Sequence, residues 1–207
     1  HKIRKLADEN GIDLEGMPIM NPADDHHEDA RKKFGDLFFE KRQRRGVNKY
    51  ESYKAMKDRN HFGCMLVDSG EADGMISGLS RNYPDTIRPA LQIIGTEPGV
   101  KKIAGMYIMF TKRGPLFLAD TTVNFNPTAE ELAEITLLVA KEVKLFNIKP
   151  RIAMLSYSNF GSSDSPEANL VCRASQIVKE KDPALVCDGE VQGILAFNKE
   201  ILREMCE

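Results

Sequence analysis

Apolar residues recur along the first third of the chain with the spacing of an amphipathic helix. Within residues 30–38 they fall at positions i, i+4, i+7 and i+8, which predicts a helix with one buried face: Ala30, Phe34, Leu37 and Phe38. We expect this helix to begin at Asn21-Pro22, because asparagine caps helices and proline suits the first turn. It should end in a basic cluster at residues 41–45, before Gly46.

Other helices are predicted where a capping residue precedes an apolar face. Asn48 with Glu51, and Thr128 with Glu131, have the spacing of capping boxes. The helix after Thr128 should continue to about Asn147, with one buried face: Leu132, Ile135, Val139, Val143 and Phe146. Four more helices are expected: residues 2–10, the segment ending near Ile94, residues 166–181 and residues 199–205.

Short apolar runs between these helices predict strands. The run from Ile152 to Ser156 does not alternate, which favours a parallel strand covered on both faces. Residues 112–115 contain Gly-Pro and predict a hairpin between the strands 103–110 and 116–119. Further strands are expected at residues 17–20, 74–76 and 184–187, and a turn at residues 188–190. Strands that alternate with helices predict an α/β layered fold.

Two loops that lead from a predicted strand into a helix carry small residues and hydroxyls. The first, residues 77–89, also contains Arg81 and Arg88. Amides at a helix start favour a bound anion, and arginine binds phosphate or carboxylate bidentately, so the loop has the groups of an anion pocket. An ordinary surface loop explains it equally well, since neither a Walker nor a Rossmann glycine pattern is present.

The second loop, residues 157–166, follows the strand at 152–156, and open α/β sheets bind ligands at the carboxyl ends of their strands. A helix N-cap turn explains its serines as well as a ligand site does. The basic cluster at residues 41–45, which includes Arg42, also has two explanations. Cations complement the end of a helix dipole, and they can also bind an anionic ligand.

Overall charge and composition exclude several classes of function. With 29 basic and 31 acidic residues, no basic field favours nucleic acid or a membrane surface. The scattered cysteines are typical of reduced thiols, so we expect a cytoplasmic protein. Acidic residues beside His26 and His27 are expected in a first helical turn, and we assign no metal site there. The first residue is not methionine, which suggests a fragment of a longer chain.

Taken together, these motifs resemble the phosphate acetyl/butyryltransferase family. The matching segments cover most of the chain in the family's order: Ser77-Gly78, Asp85 to Pro89, Asn124 to Ala133, Ala153 to Ser158, and Asp188 to Glu190. The resemblance implies a two-lobed α/β/α layered fold with a mostly parallel sheet, whose C-terminal part is missing here. We expect a first lobe over residues 1–102, a second over 103–207, and a ligand cleft lined by the two loops.

Within this family, four segments more closely resemble the carboxyl-terminal domain of large bacterial NADP-dependent malic enzymes: residues 40–46, 80–83, 119–124 and 158–164. That resemblance implies a regulatory domain that senses acetyl-CoA, or acetyl phosphate, as a small-molecule effector within a homo-oligomer. The malic-enzyme reaction, with its NADP and divalent metal, would belong only to N-terminal domains of the same chain.

The resemblance also implies a set of ligand-binding residues for acetyl-CoA or phosphate. Arg42 and Arg88 match family arginines that neutralise phosphate. The complete expected set contains Arg42, Ser77, Gly78, Ser80, Arg81, Thr86, Arg88, Ser158, Asn159, Gly161, Ser162 and Ser163. We assign no catalytic residue.

Three departures from the family pattern favour binding without turnover. Ile194 stands where the family tends to have an aspartate, the Asn159-Phe160 loop differs from the transferase form, and the sequence ends at Glu207 before the family's Ser-Arg pair and catalytic aspartate. The leading expectation is therefore the acetyl-CoA-sensing domain of a malic enzyme. The alternative is an active phosphate acetyltransferase that moves acetyl between acetyl phosphate and CoA, and a purely structural dimerisation module is a third possibility.

Overall fold

The computed structural model describes residues 2–206. The chain folds as two compact units, with the division between Gly95 and Thr96. The sequence predicted a division near residue 102, and the assignment of residues 1–102 and 103–207 as two lobes of one ligand-binding domain stays a prediction. Each unit has a hydrophobic core of its own.

The first unit is built from helices. They are α1 (Lys2–Glu9), α2 (Glu28–Arg42), α3 (Lys49–Ala55), α4 (Arg59–Asp68) and α5 (Tyr83–Ile93). Phe34 and Phe38 of α2 are buried as the spacing predicted, and Phe34 meets Phe62 of α4 edge-on at 5.1 Å between ring centroids. The capping box of Asn48 and Glu51 is formed at the start of α3, and that prediction is confirmed.

The α2 helix begins at Glu28, later than the sequence predicted. Asn21 accepts a hydrogen bond from the Ala23 amide and so forms a turn in place of a helix cap. The buried side chain of Arg31 then donates to the Pro22 and Asp24 carbonyl oxygens, which holds this turn against the helix. The long-range bonds of Arg31 are not visible in the sequence pattern, and they outweigh the local signal of Asn21-Pro22.

The strands predicted at residues 17–20 and 74–76 are not formed. A strand needs a neighbour for its backbone hydrogen bonds, and the described residues of the first unit contain no strand to supply one. Ile76 is fully exposed, so its apolar side chain was a misleading signal of a buried strand.

The second unit contains both sheets. The strands β1 (Met106–Thr111) and β2 (Gly114–Ala119) form an antiparallel hairpin across Lys112-Arg113, as predicted. The helix α6 (Ala129–Leu145) begins with the predicted capping box of Thr128 and Glu131. Next come β3 (Arg151–Leu155), α7 (Pro166–Lys181) and β4 (Val186–Val191), with α8 (Gly193–Phe197) and α9 (Lys199–Cys206) at the end.

Strands β3 and β4 pair in parallel, and α6 and α7 pack with them around one core. The parallel orientation of β3 and the bounds of α7 match the sequence predictions. The expectation that β3 is covered on both faces is wrong, because Ala153 and Leu155 are exposed. The turn expected at residues 188–190 is wrong, because these residues continue β4, with Asp188 opposite Ala153 and Gly189 opposite Met154. The glycine permits a close approach of two backbones rather than a change of direction.

Candidate functional site

The loop that follows residue 76 is tied to the start of α4. The Ser77 hydroxyl donates to Oδ1 of Asn60 at 2.7 Å, and Nδ2 of Asn60 donates to the Asp85 carbonyl at 3.1 Å. Asn60 is only 1% exposed, and its side-chain amide links the loop to the first turn of α5 through these two hydrogen bonds. Its place after the α4 cap, Asp58, drew no attention to it in the sequence.

Arginines surround this loop. Arg59 donates to the Ser80 hydroxyl at 2.6 Å, and Arg81 pairs with Oδ2 of Asp58 at 2.7 Å. Arg88 lies exposed on α5, and within the described residues it makes no ion pair. The loop therefore combines cations with the hydroxyls of Ser77 and Ser80, although the sequence did not single out Arg59.

The remaining predicted residues of this loop shape its backbone. Gly78 has φ +129°, in the region that favours glycine, and its carbonyl accepts the Ser80 amide at 2.6 Å. Thr86 is half-buried in α5.

The Asp58 carboxylate contacts both the start of α4 and Arg81. It caps α4 by accepting the Asn60 and His61 amides, and it also contacts Nδ1 of His61 at 3.1 Å. Burial acts to raise the pKa of Asp58, but the hydrogen bonds from His61 and Asn60 and the charge of Arg81 outweigh it and lower the pKa overall. The ionised Asp58 thus holds Arg81 in place.

We expect Asp58 to make the stability of the first unit pH-dependent. Because its folded-state pKa is lowered, its contribution is present above the ordinary pKa of 3.8 and is lost as the pH falls through the lower folded value. In Asp58→Asn, which keeps a good helix cap, the urea midpoint should fall less between about pH 7 and pH 3 than in the wild type. The exposed Asp73→Asn is the control and should follow the wild type. Equal pH dependence in Asp58→Asn and wild type would contradict this role.

Arg42 is the last residue of α2 and is half-buried. Its Nε is buried without a hydrogen-bond partner, and among residues 2–206 no ion pair or hydrogen bond joins it to the 77–88 loop. The neighbouring Lys41 pairs with Asp68 at 2.9 Å, so part of the basic cluster stabilises the fold. Because this Nε is closed off from solvent, it gives no support to an anion contact, which stays a prediction for Arg42.

The loop between β3 and α7 is held together by its own serines. Ser158 is 1% exposed, and its hydroxyl lies 3.0 Å from the Ser162 hydroxyl, which also accepts the Asn159 amide at 3.0 Å. Ser163 accepts the Ser165 amide at 3.4 Å, and Ser165 caps α7 by accepting the Ala168 amide. The N-cap explanation is confirmed for Ser165, and a ligand role for the other serines of this loop stays a prediction.

The end of β4 anchors this loop. Oε1 of Glu190 accepts the Gly161 amide at 2.5 Å and the Ser158 hydroxyl at 3.3 Å, and the Glu190 carbonyl accepts the Phe160 amide at 2.9 Å. The Gln192 amide donates to Oδ1 of Asn159 at 2.8 Å. The sequence pattern assigns no role to Glu190, because Asp188-Gly189-Glu190 has the composition of a turn, and nothing in the pattern singles out Gln192.

Glu190 is an unusual acid in this structure. Its side chain is 1% exposed, and its Oε2 has no hydrogen-bond partner. Burial acts to raise its pKa, but the hydrogen bonds from the Gly161 amide and the Ser158 hydroxyl act in the opposite direction and lower the pKa overall. Oε1 is the acceptor in both of these hydrogen bonds.

Other kinds of site find no support in the part of the chain that the structure describes. No group of three His, Cys, Asp or Glu side chains is arranged to hold a metal ion, and His26 and His27 lie in a short 3-10 turn before α2. None of the described helices combines the length and the apolar character needed to cross a membrane.

Comparison with known proteins identifies the family. The model of the phosphate acetyl/butaryl transferase family matches residues 1–207. The chain belongs to this family. A phosphate acetyltransferase of Bacillus subtilis is 41% identical over 95% of this chain and 60% of its own length, and one of Clostridium acetobutylicum is 36% identical over 97% and 62%. The chain thus spans about 60% of the length of these family members.

Two solved structures of the family share the fold. A phosphotransacetylase from Streptococcus pyogenes superposes with a TM-score of 0.81, at 36% identity, over 97% of this chain and 60% of that structure. The EutD phosphotransacetylase from Staphylococcus aureus gives 0.79, at 31% identity, over 98% and 62%. These family members confirm the predicted phosphotransacetylase-like α/β fold.

The finer prediction of a malic-enzyme regulatory domain is wrong. The relatives from Bacillus subtilis, Nitratidesulfovibrio vulgaris and Clostridium acetobutylicum are named phosphate acetyltransferase, and they provide no link to malic enzyme. Four predictions that depended on it are therefore wrong as well: the N-terminal partner domains, the oxidoreductase function, the use of NADP and the effector role of the ligand. The error arose from short loop segments such as Ser80 to Tyr83 and Asn159-Phe160, and loops vary among relatives more than the elements that they connect.

Proposed function

We propose that the protein to which this chain belongs is a phosphate acetyltransferase, which moves an acetyl group between acetyl phosphate and CoA. The observation that carries the proposal is the 41% identity, over 95% of the chain, to a phosphate acetyltransferase. Relatives that bear the same name and are 34–36% identical add to this support. The chain spans about 60% of the first relative, so the activity is proposed for the whole protein.

The reaction needs charge stabilisation more than an unusual nucleophile. The CoA thiolate attacks the acetyl carbonyl carbon, the carbon–sulfur bond forms, and the bond to the phosphate oxygen breaks. Inorganic phosphate leaves with the electron pair of the broken bond, and the proton of the thiol passes to solvent or to phosphate. Arginines can neutralise the phosphate and the charge that develops in the transition state.

The two loops contain suitable groups for these tasks. Arg88 is exposed, and Arg59 and Arg81 lie near Ser80, so the first unit offers a phosphate three cations and a hydroxyl. Ser162 is an exposed residue of the second unit, and its hydroxyl, which donates to Ser158 in this structure, offers a further donor when it turns toward a ligand. We propose these groups, with Arg42, Ser77, Gly78, Thr86, Ser158, Asn159, Gly161 and Ser163, as the ligand-binding set.

The test is an acetyl-transfer assay on the full-length protein with acetyl phosphate and CoA. We expect acetyl-CoA thioester to form in equal amounts with inorganic phosphate, and no phosphate release without CoA. Butyryl phosphate, tested in parallel, separates the two acyl groups in the family's name, and we expect acetyl to be the better substrate. Tight CoA binding by calorimetry without thioester formation would contradict the proposal.

A further inference from the structure

Glu190 is a buried acid beneath an exposed loop, which is unexpected unless its carboxylate has a specific role. Glu190 is the only acidic side chain among the buried residues that the structure describes. Burying a carboxylate is costly, and well-packed apolar groups can often replace buried ions without loss of stability. The packing of the core therefore does not account for the presence of a carboxylate at position 190.

Two of the contacts of Glu190 with the loop are made to one turn. Phe160 has φ +45° and Gly161 has φ +86°, so two successive residues adopt the left-handed conformation. This conformation is costly for a bulky residue such as phenylalanine and persists only where the surroundings hold it. Glu190 holds both residues, since its carbonyl accepts the Phe160 amide and its carboxylate accepts the Gly161 amide.

The Phe160-Gly161 turn determines the direction in which the chain enters Ser162. Ser162 follows Gly161 and is exposed, and its hydroxyl is the group that we propose to meet substrate. The same Oε1 of Glu190 also accepts the Ser158 hydroxyl, which lies 3.0 Å from the Ser162 hydroxyl. One carboxylate oxygen thus fixes the backbone before Ser162 and the side chain beside it.

We propose that Glu190 is a positioning residue that holds the Phe160-Gly161 turn and so orients Ser162 for the phosphate-bearing substrate. Glu190 acts through the loop and does not touch the reacting atoms. The inference rests on the proposed acetyl transfer for its consequence, whereas the anchoring of the turn is independent of that function.

Two substitutions separate positioning from charge. Glu190→Gln keeps an oxygen acceptor at the position of Oε1 but removes the charge. Glu190→Asp keeps the charge but is one methylene shorter, so the acceptor withdraws by about 1.5 Å. If Glu190 positions the turn, kcat should fall about tenfold to a hundredfold in Glu190→Asp and less in Glu190→Gln. The shape of the pH profile should be the same as in the wild type.

The experiment measures acetyl transfer and amide hydrogen exchange at Gly161 in the full-length protein. Exchange at Gly161 should be at least about tenfold faster in Glu190→Asp and intermediate in Glu190→Gln, because a neutral acceptor binds the amide more weakly. The exposed Glu180→Gln on α7 is the control and should change neither quantity. If Glu190→Asp does not fold, the exchange and kcat of Glu190→Gln still decide the question.

Two results would overturn the inference: unchanged exchange at Gly161 in the variants, or better activity in Glu190→Asp than in Glu190→Gln. A wild-type protein without acetyl transfer would instead refute the proposed function, and the exchange data would still decide whether Glu190 anchors the turn.

Discussion

Replacing Gly189 with alanine should destabilise the β3–β4 pair by roughly 2–5 kcal/mol. A Cβ atom at this position would lie 2.5 Å from the Met154 carbonyl oxygen and 2.7 Å from the Met154 Cβ. Both neighbours belong to the paired strand and cannot rotate away. Gly189 also has φ +142°, which side chains rarely adopt, so the variant is strained even after the strands move apart.

The loss of stability in Gly189→Ala should extend from the β3–β4 pair to the loop between β3 and α7. Glu190 follows Gly189 directly, and a displaced β4 would withdraw the acceptors of the Phe160 and Gly161 amides. We therefore expect Gly189→Ala to lose acetyl transfer at temperatures at which the first unit remains folded. The chain has two compact units, so a single unfolding free energy is not well defined, and each unit needs its own measurement.

Amide exchange at Ser156 reports on the strand pair, since its amide donates to the Val191 carbonyl at 3.0 Å. Exchange there should be much faster in Gly189→Ala, while the amides of α4 should be unaffected. Gly193→Ala is a matched control, because nothing lies within 4 Å of a Cβ at Gly193 and alanine suits its helical position. Equal exchange at Ser156 in Gly189→Ala and wild type would show that the strands can absorb the methyl group.

The contrast between α7 and α2 explains which parts of the fold were predictable. Ser165 and Pro166 mark the start of α7 through a cap and a first-turn proline, and both signals are local to the helix. The start of α2 depends on Arg31, whose side chain reaches back to Pro22 and Asp24. Periodicity finds such a helix, but its beginning is decided by contacts that the pattern does not contain.

The residues of the candidate site also differ in whether they could be predicted from local sequence. The serines of the second loop are recognisable as candidates because loops after parallel strands carry ligand groups in α/β proteins, whereas the first loop follows a segment that forms no strand. The residues that hold those loops are not recognisable, since Asn60 is 17 positions from Ser77 and Glu190 is 29 positions from Gly161. Glycine in Asp188-Gly189-Glu190 was interpreted as a turn signal, although here it permits close strand pairing. Only the folded chain distinguishes these two uses of glycine.

The other large effect is expected for Arg88→Ala in the full-length protein, where the KM for acetyl phosphate should rise about tenfold to a hundredfold. A hydrogen bond to a charged group contributes about 1.5–3 kcal/mol, which corresponds to this range. Arg88 is exposed and makes no ion pair within the described residues, so its guanidinium can bind phosphate without first breaking a contact. Arg81 would first have to leave Asp58, 2.7 Å away.

The effect of Arg88→Ala should therefore exceed that of Arg81→Ala, in steady-state kinetics with acetyl phosphate as the varied substrate. Arg88→Lys should recover only part of the loss, because lysine keeps the charge but not the two-pronged geometry of arginine. The exposed Arg173→Ala on α7 is the control, since this arginine pairs with Glu180 on the surface and should leave KM unchanged. A negligible change in KM in both Arg42→Ala and Arg88→Ala would place the phosphate pocket elsewhere in the protein, because neither arginine would then contribute to phosphate binding.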